Sequence, residues 1–453
     1  MNGLVYFDDA LPVFAALTKQ TWGGQALVDN LFLRDANGRL TLVVLDQHSS
    51  EQREQLAKEA SSRLKVYVDE DFSVATPDEL FDDRLKDFSH ARRLELRHAE
   101  FKGEVMLVDR RLVGADWLLQ PSAPIRTPAR LVFASIKGGV GRSTALCVLA
   151  AHLAAHGKRV LTLDLDLEAP GLGNMLLPGE TLPEFGLLDY LVEQHLGLLS
   201  EEFFADLVAP SWLGGGKGRV DVIPALGRRS LQHPENVLAK IARAYLVGSP
   251  TDGGDSTGFT DHIQRLLTRV AVPSSYDVVL IDARAGLHET AAAAVIGLGA
   301  EVLLFGLDQT QTVAGYELLF AHLATLPCQA DDDWRERLNL VQAKAPLDAQ
   351  ARTGFAEKMQ SLMTQYLWPA SQQQHEAADL AALQGEFETE WEDQAPLLID
   401  DSGPPPPIVI LDSQRFQSFD PQCDRSTLEE RVYADTFSEF LKKIDDILEN
   451  GKN

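Results

Sequence analysis

Lys137-Gly138-Gly139-Val140-Gly141-Arg142-Ser143-Thr144 follows the apolar run Leu131–Ile136 and precedes an apolar helical pattern of Ala145, Leu146, Val148, Leu149 and Leu153. Strand, glycine-rich turn and helix, in that order, are the context that a phosphate-binding loop requires. Glycines let backbone N–H groups turn inward and approach phosphate closely, and the helix N-terminus adds partial positive charge. Ser143 stands where a hydroxyl would ligand Mg²⁺, and Arg142 where a cation would meet the β- and γ-phosphates. The ordinary pattern is G-x-x-x-x-G-K-[ST]; here Ile136 replaces its first glycine and Arg142 its lysine. Without a ligand, the same stretch is only a glycine-rich turn.

Two further segments favour the phosphate reading. Val160–Gly171 opens with a buried-strand pattern that ends in two carboxylates, Asp164 and Asp166, and breaks at Pro170-Gly171. Carboxylates at the carboxyl end of a sheet strand lie where open α/β folds bind ligands. There they would hold Mg²⁺ or orient an attacking water; the alternative is that either aspartate only caps the following turn. Tyr276–Asp282 is an apolar strand ending in a carboxylate, the Walker-B pattern.

Working outward, Val220–Ile223, Val302–Phe305, Leu338–Val341 and Ile408–Leu411 read as further strands. Short apolar runs alternating with helical patterns predict an α/β fold, a doubly wound and mostly parallel sheet. Residues 1–127 hold the runs Leu40–Leu45, Leu64–Val68 and Val105–Val108, with helical composition over Ser49–Arg63, and read as a small α/β accessory domain. Pro121, Pro124 and Pro128 mark a linker. Val108–Trp117 is dense in charge and reads either as a recognition surface or, more plainly, as a solvated turn of Arg/Asp pairs with Trp117 and Leu118 in the core. Residues 128–453 form the main domain, with a flexible acidic insertion at about 370–407 and a closing amphipathic helix over about Ser426–Glu449.

The bulk numbers exclude several classes. The chain has 453 residues, room for two or three domains, and a net charge of −26 that disfavours direct DNA binding. Its three cysteines, far apart, form neither a disulfide framework nor a metal set. No run of 18 apolar residues and no basic leader occurs, so a cytoplasmic protein is expected. The last helix, with seven acidic against four basic residues from Ser426 to Asn453, lacks the basic face of a membrane anchor.

The three site segments together resemble the deviant Walker-A ATPases of the ParA/MinD group. The group's signature K-G-G-x-G-[KR]-[ST]-T is matched at every fixed position by Lys137–Thr144. The resemblance implies an ATP- and Mg²⁺-dependent P-loop hydrolase that dimerises around ATP and regulates a partner protein, here unidentified. It assigns Lys137 to the phosphates of the partner subunit. Gly138, Gly139, Val140, Gly141, Arg142, Ser143 and Thr144 form the nucleotide loop; Ser143, Asp164 and Asp282 are metal ligands, and Asp164 and Asp166 the acids of hydrolysis. Arg142, a planar fork and not a point charge, also motivates a non-hydrolysing ATP-bound scaffold; a phosphotransferase is a weaker alternative. Leu167-Glu168-Ala169-Pro170 and Ala283-Arg284-Ala285-Gly286 depart from the group's usual residues, and Arg284 either contacts phosphate or a partner, or balances nearby acids.

Overall fold

The computed structural model describes residues 5–195, 197, 199–214, 217–246, 258–328, 332–368 and 403–450. Up to residue 402, the insertion expected at about 370–407 lies outside them. The chain divides into two compact units, Met1–Ala115 and Asp116–Asn453.

The first unit is a five-stranded mixed sheet. Its strands are β1 (Leu31–Arg34), β2 (Leu40–Val43), β3 (Val74–Ala75), β4 (Arg92–Arg97) and β5 (Lys102–Asp109), in the order β3-β2-β1-β5-β4. β1 and β2 form a hairpin around Asp35, whose Oδ1 accepts from the N–H groups of Asn37 and Arg39, both at 2.8 Å. Helices Phe7–Trp22 and Ser50–Leu64 share a core with one sheet face, through Phe14, Leu56, Phe32 and Leu107. The second helix starts where Ser49 and Gln52 exchange side-chain-to-backbone bonds, a capping box. Leu64–Val68 is not a strand: Leu56, Ala60 and Leu64, spaced by four, are the buried stripe of this helix, and Lys65 at φ 50° ends it. Nor are the Arg/Asp pairs near Val108 fully solvated, because the Asp109 side chain is only 5% exposed.

The second unit carries an eight-stranded sheet. Its strands are β6 (Ala129–Ser135), β7 (Arg159–Asp164), β8 (Ala209–Pro210), β9 (Arg219–Ile223), β10 (Val278–Asp282), β11 (Glu301–Gly306), β12 (Leu338–Ala345) and β13 (Ile408–Leu411). The order is β13-β12-β11-β6-β10-β7-β9-β8, and every pairing except β8–β9 is parallel. This is the mixed α/β class with a mostly parallel sheet. Alternate residues feed opposite cores: Val132, Leu161 and Ile281 face one, Leu131, Val160 and Leu280 the other. Burial on both faces is why these strands read as unbroken apolar runs.

Helix Arg142–Ala155 and the last helix, Glu430–Asn450, cover one face. Phe440 of the last helix lies 6.4 Å from the ring of Phe133 and 6.3 Å from that of Phe305. The opposite face is covered by Phe259–Val270, Thr310–Leu323 and Thr353–Leu367. Residues 116–127 pack in this unit as well. Trp117 is buried with Nε1 donating to Leu287 O at 3.1 Å, and the Ser122 hydroxyl donates to Gly297 O at 2.8 Å.

Candidate functional site

The carboxyl ends of β6, β7 and β10 meet at one edge of the sheet. Register places Asp282 beside Asp164 and beside Phe133, so the two acids lie on adjacent strands, next to the strand that feeds the loop. After Ser135 the chain turns through Gly139 (φ 76°) and Gly141 (φ 97°), left-handed conformations that favour glycine. Added Cβ atoms at Gly138, Gly139 and Gly141 would meet nothing within 4 Å, so the loop's concave side is open. Val140 anchors it at 1% exposure. Ile136, at the first glycine of the ordinary pattern, is accommodated by Gly315 of helix Thr310–Leu323, where a Cβ would meet Ile136 Cγ2 at 2.3 Å.

Four sequence-expected residues converge here. The Ser143 hydroxyl donates to Asp282 Oδ2 at 2.5 Å. The Arg142 guanidinium is buried between two acids, NH2 3.8 Å from Asp166 Oδ2 and Nε 3.9 Å from Asp282 Oδ1. Asp282 Oδ1 and Arg142 NH1 are buried without a hydrogen-bond partner. Burial raises the Asp282 carboxyl above the usual range, opposed by Arg142 and Ser143. Asp166 Oδ1 accepts from Ala169 N at 3.1 Å, so its other oxygen faces Arg142.

Asp164 is held differently. Its oxygens accept from the N–H groups of Asp166, Gly171 and Leu172 at 3.0, 3.0 and 3.1 Å, fastening the turn that presents Asp166. Burial first, then the charge of Asp282, lifts its pKa well above the carboxylate range, while those three donors oppose the shift.

Lys137 turns to Gln309, Nζ to Oε1 at 3.2 Å, and Lys344 donates to Gly139 O at 2.9 Å. Lys344 has φ 49° and closes one side of a small cleft beside Thr144, which Asp412, Phe416 and Phe437 also line. Gln342 is buried, at 2% exposure. Arg284 pairs with Glu168 at 2.5 Å. The sequence reading missed Gln309, Asp412 and Phe416. None stands in a motif.

The residues fit a Mg²⁺-nucleotide. An open glycine cradle suits phosphates, and a hydroxyl and a carboxylate oxygen side by side, with a second buried carboxylate oxygen unpartnered, are hard-oxygen donors. Arg142 supplies charge beside them, and Lys344 holds the loop backbone in place.

Residues 131–314 match the family model described as the CobQ/CobB/MinD/ParA nucleotide binding domain. This part of the chain is thus a P-loop nucleotide-binding domain of the ParA/MinD type. Among solved structures, a ParA family ATPase from Chlorobium tepidum TLS is 15% identical, with 53% of this chain and 81% of that chain covered and a TM-score of 0.36. A plasmid partition protein from Borrelia burgdorferi is 18% identical, with 48% and 79% covered and a TM-score of 0.31. A Cyanothece McdA–ATP complex is 16% identical, with 52% and 80% covered and a TM-score of 0.35. No curated protein sequence matches the chain. Among the described residues, no helix is long and apolar enough to cross a membrane.

Proposed function

We propose that the chain is an ATP-dependent dimerisation switch that hydrolyses ATP slowly and regulates a partner protein. The observation that supports this most is the direct contact of Ser143 with Asp282, which joins the phosphate loop to the strand acid, with Arg142 set between Asp282 and Asp166. In this reading Gly138–Thr144 cradle the phosphates and Lys137 serves the second subunit's nucleotide. Ser143 and Asp282 would hold Mg²⁺, which neutralises phosphate charge when bound. Asp164 contributes through the turn it fastens, and Asp166 orients the attacking water.

The test is light scattering of wild type and Asp166→Ala, with and without ATP and Mg²⁺, alongside phosphate release. A dimer that forms with ATP, persists in Asp166→Ala and dissolves slowly in wild type is the expected result. Mass and phosphate release both indifferent to ATP would sink the reading. A second reading, a non-hydrolysing ATP-bound scaffold, draws support from the Arg142 guanidinium standing against Asp166, the acid that hydrolysis needs. Turnover that disappears in Asp166→Ala would exclude it.

A further inference from the structure

The first unit concentrates arginine where the sheet's geometry leaves too little acid to match it. Parallel pairing of β1 with β5 sets Arg34 opposite Asp109, and antiparallel pairing of β4 with β5 sets Arg92 opposite Leu107, two residues earlier. With a side-chain period of two, Arg34, Arg92 and Asp109 share one face. Arg111 donates to Asp109 Oδ2 from Nε at 3.1 Å and NH2 at 2.8 Å, and Arg92 NH2 stands 3.7 Å from the same oxygen. Close by, Asp82 takes Arg84, at 3.2 Å, and Arg110. Four guanidiniums, those of Arg34, Arg92, Arg110 and Arg111, thus stand about two carboxylates, with Arg84 alongside. Of the further acids, Asp35 is spent on its own turn, Asp83 pairs with Lys86, and Asp8 is a minor influence on Arg34.

Arg34 Nε and Arg92 Nε are buried and have no hydrogen-bond partner, although Arg34 also lies over the Phe7 ring, 4.4 Å from its centroid. Burial lowers the pKa of both guanidiniums and Arg111's charge lowers it further, against the pull of Asp109. Half-buried cations without enough counter-charge are costly, and this cluster occurs in a chain of net charge −26. On the other face of β5, with Val108 and Leu85, a cleft of about 570 Å³ is lined by Arg84, Arg110, Arg111, His90, Asp82 and Asp35, while Arg34 and Arg92 stand outside it. Arg111 belongs to both, holding Asp109 and facing the cleft.

We propose that this end of the first unit's sheet is a binding site for a multiply charged oxyanion, a phosphate ester or a polycarboxylate. Guanidinium forks match both groups in bidentate geometry, and the cleft is of small-molecule size. The ligand supplies the negative charge that Asp82 and Asp109 do not.

The test is hydrogen–deuterium exchange of the full chain with millimolar pyrophosphate or citrate. Exchange is followed separately over residues 82–92 and 105–113, because pyrophosphate is also expected at Lys137–Thr144. Slowed exchange in both first-unit segments is expected, with affinity about tenfold weaker in Arg110→Gln/Arg111→Gln. A response to pyrophosphate alone identifies a phosphate ester, to citrate alone a polycarboxylate, and to both the shared chemistry. Asp109→Asn, which removes an internal competitor, is expected to bind about threefold or more tighter, an effect that damaged folding would not produce. No change in either segment with either anion, equal protection in the double variant, or Asp109→Asn binding no better than wild type would overturn the proposal.

Discussion

At the ends of β7 and β10, three carboxylates, Asp164, Asp166 and Asp282, gather near one buried guanidinium, that of Arg142. At the ends of β1 and β5, four guanidiniums gather about Asp82 and Asp109, with Arg84 alongside. Each unit tolerates a charge imbalance at the edge of its sheet, with opposite sign. A parallel sheet edge carries few obligatory packing contacts, so charges accumulate there at tolerable cost, and what they lack points to what they bind. The first cluster needs cations that accompany phosphates, and the second needs the anion itself.

The comparison breaks most readily at Arg142. Arg142→Ala removes the cation seated between Asp166 and Asp282, and is expected to weaken Mg²⁺-ATP binding about 100-fold, roughly 2.7 kcal/mol. Arg142→Lys should keep most of the affinity, since charge is retained. Arg111→Gln, in the oppositely charged cluster, should leave ATP binding within about twofold. Calorimetric titration of the three variants checks this. Arg142→Ala binding like wild type would mean that the acids are matched by something other than the loop cation.

The second unit was the more legible of the two, for a physical reason. Its central strands are buried on both faces, and the expected runs overlap the observed strands, Ile408–Leu411 with its observed bounds. In the first unit, β4 reads Arg-Arg-Leu-Glu-Leu-Arg, a half-exposed edge whose period of two is hidden among charges, and the helix stripe ending at Leu64 imitates a strand. At the site, the contiguous loop and the strand-end acids were visible because each lies in one short segment. Gln309 and Lys344 were not identified as partners of the loop, since folding brings them in from 172 and 205 residues away. The arginine cluster was legible only in part: the charge density of Asp109–Arg111 stands out in the sequence, but Arg34, Arg84 and Arg92 come from three other segments that folding brings together.

pH sharpens the comparison, because the two clusters titrate with opposite signs. Asp164 and Asp282 have raised pKa values in the folded state, so their stabilising contribution is present at low pH and is lost as pH rises through the folded values. Asp82 runs the other way: burial pushes it up, but Arg84 and Arg110 outweigh burial, so its contribution is present above its unfolded pKa and is lost on acidification. Asp282→Asn relieves the repulsion on Asp164 while leaving an oxygen to accept from Ser143. It is expected to stabilise the nucleotide-free protein by about 1 kcal/mol at pH 8 and by almost nothing at pH 5. Thermal melts at the two values check the sign; a variant less stable than wild type at pH 8 would show that Arg142 already neutralises the acids.

Between these extremes stands a balanced pair, Arg284 with Glu168, side chains 25% and 38% exposed. Arg284 lies two residues after Asp282 and two before Gly286, whose N–H donates to Ser135 O at 2.8 Å. The ion pair therefore ties the loop after β7 to the loop after β10, both at the candidate phosphate site. As a partly exposed and internally matched contact, it is expected to contribute only about 0.5 kcal/mol. Glu168→Gln should accordingly change ATP turnover by less than about threefold, measured as phosphate release at saturating ATP. A change of tenfold or more, reversed by Arg284→Ala in the Glu168→Gln background, would mean that the pair restrains Arg284 from the nucleotide. Charge balance at that position would then be a device of the chemistry, and the contrast between the two clusters would have to be redrawn around three sites.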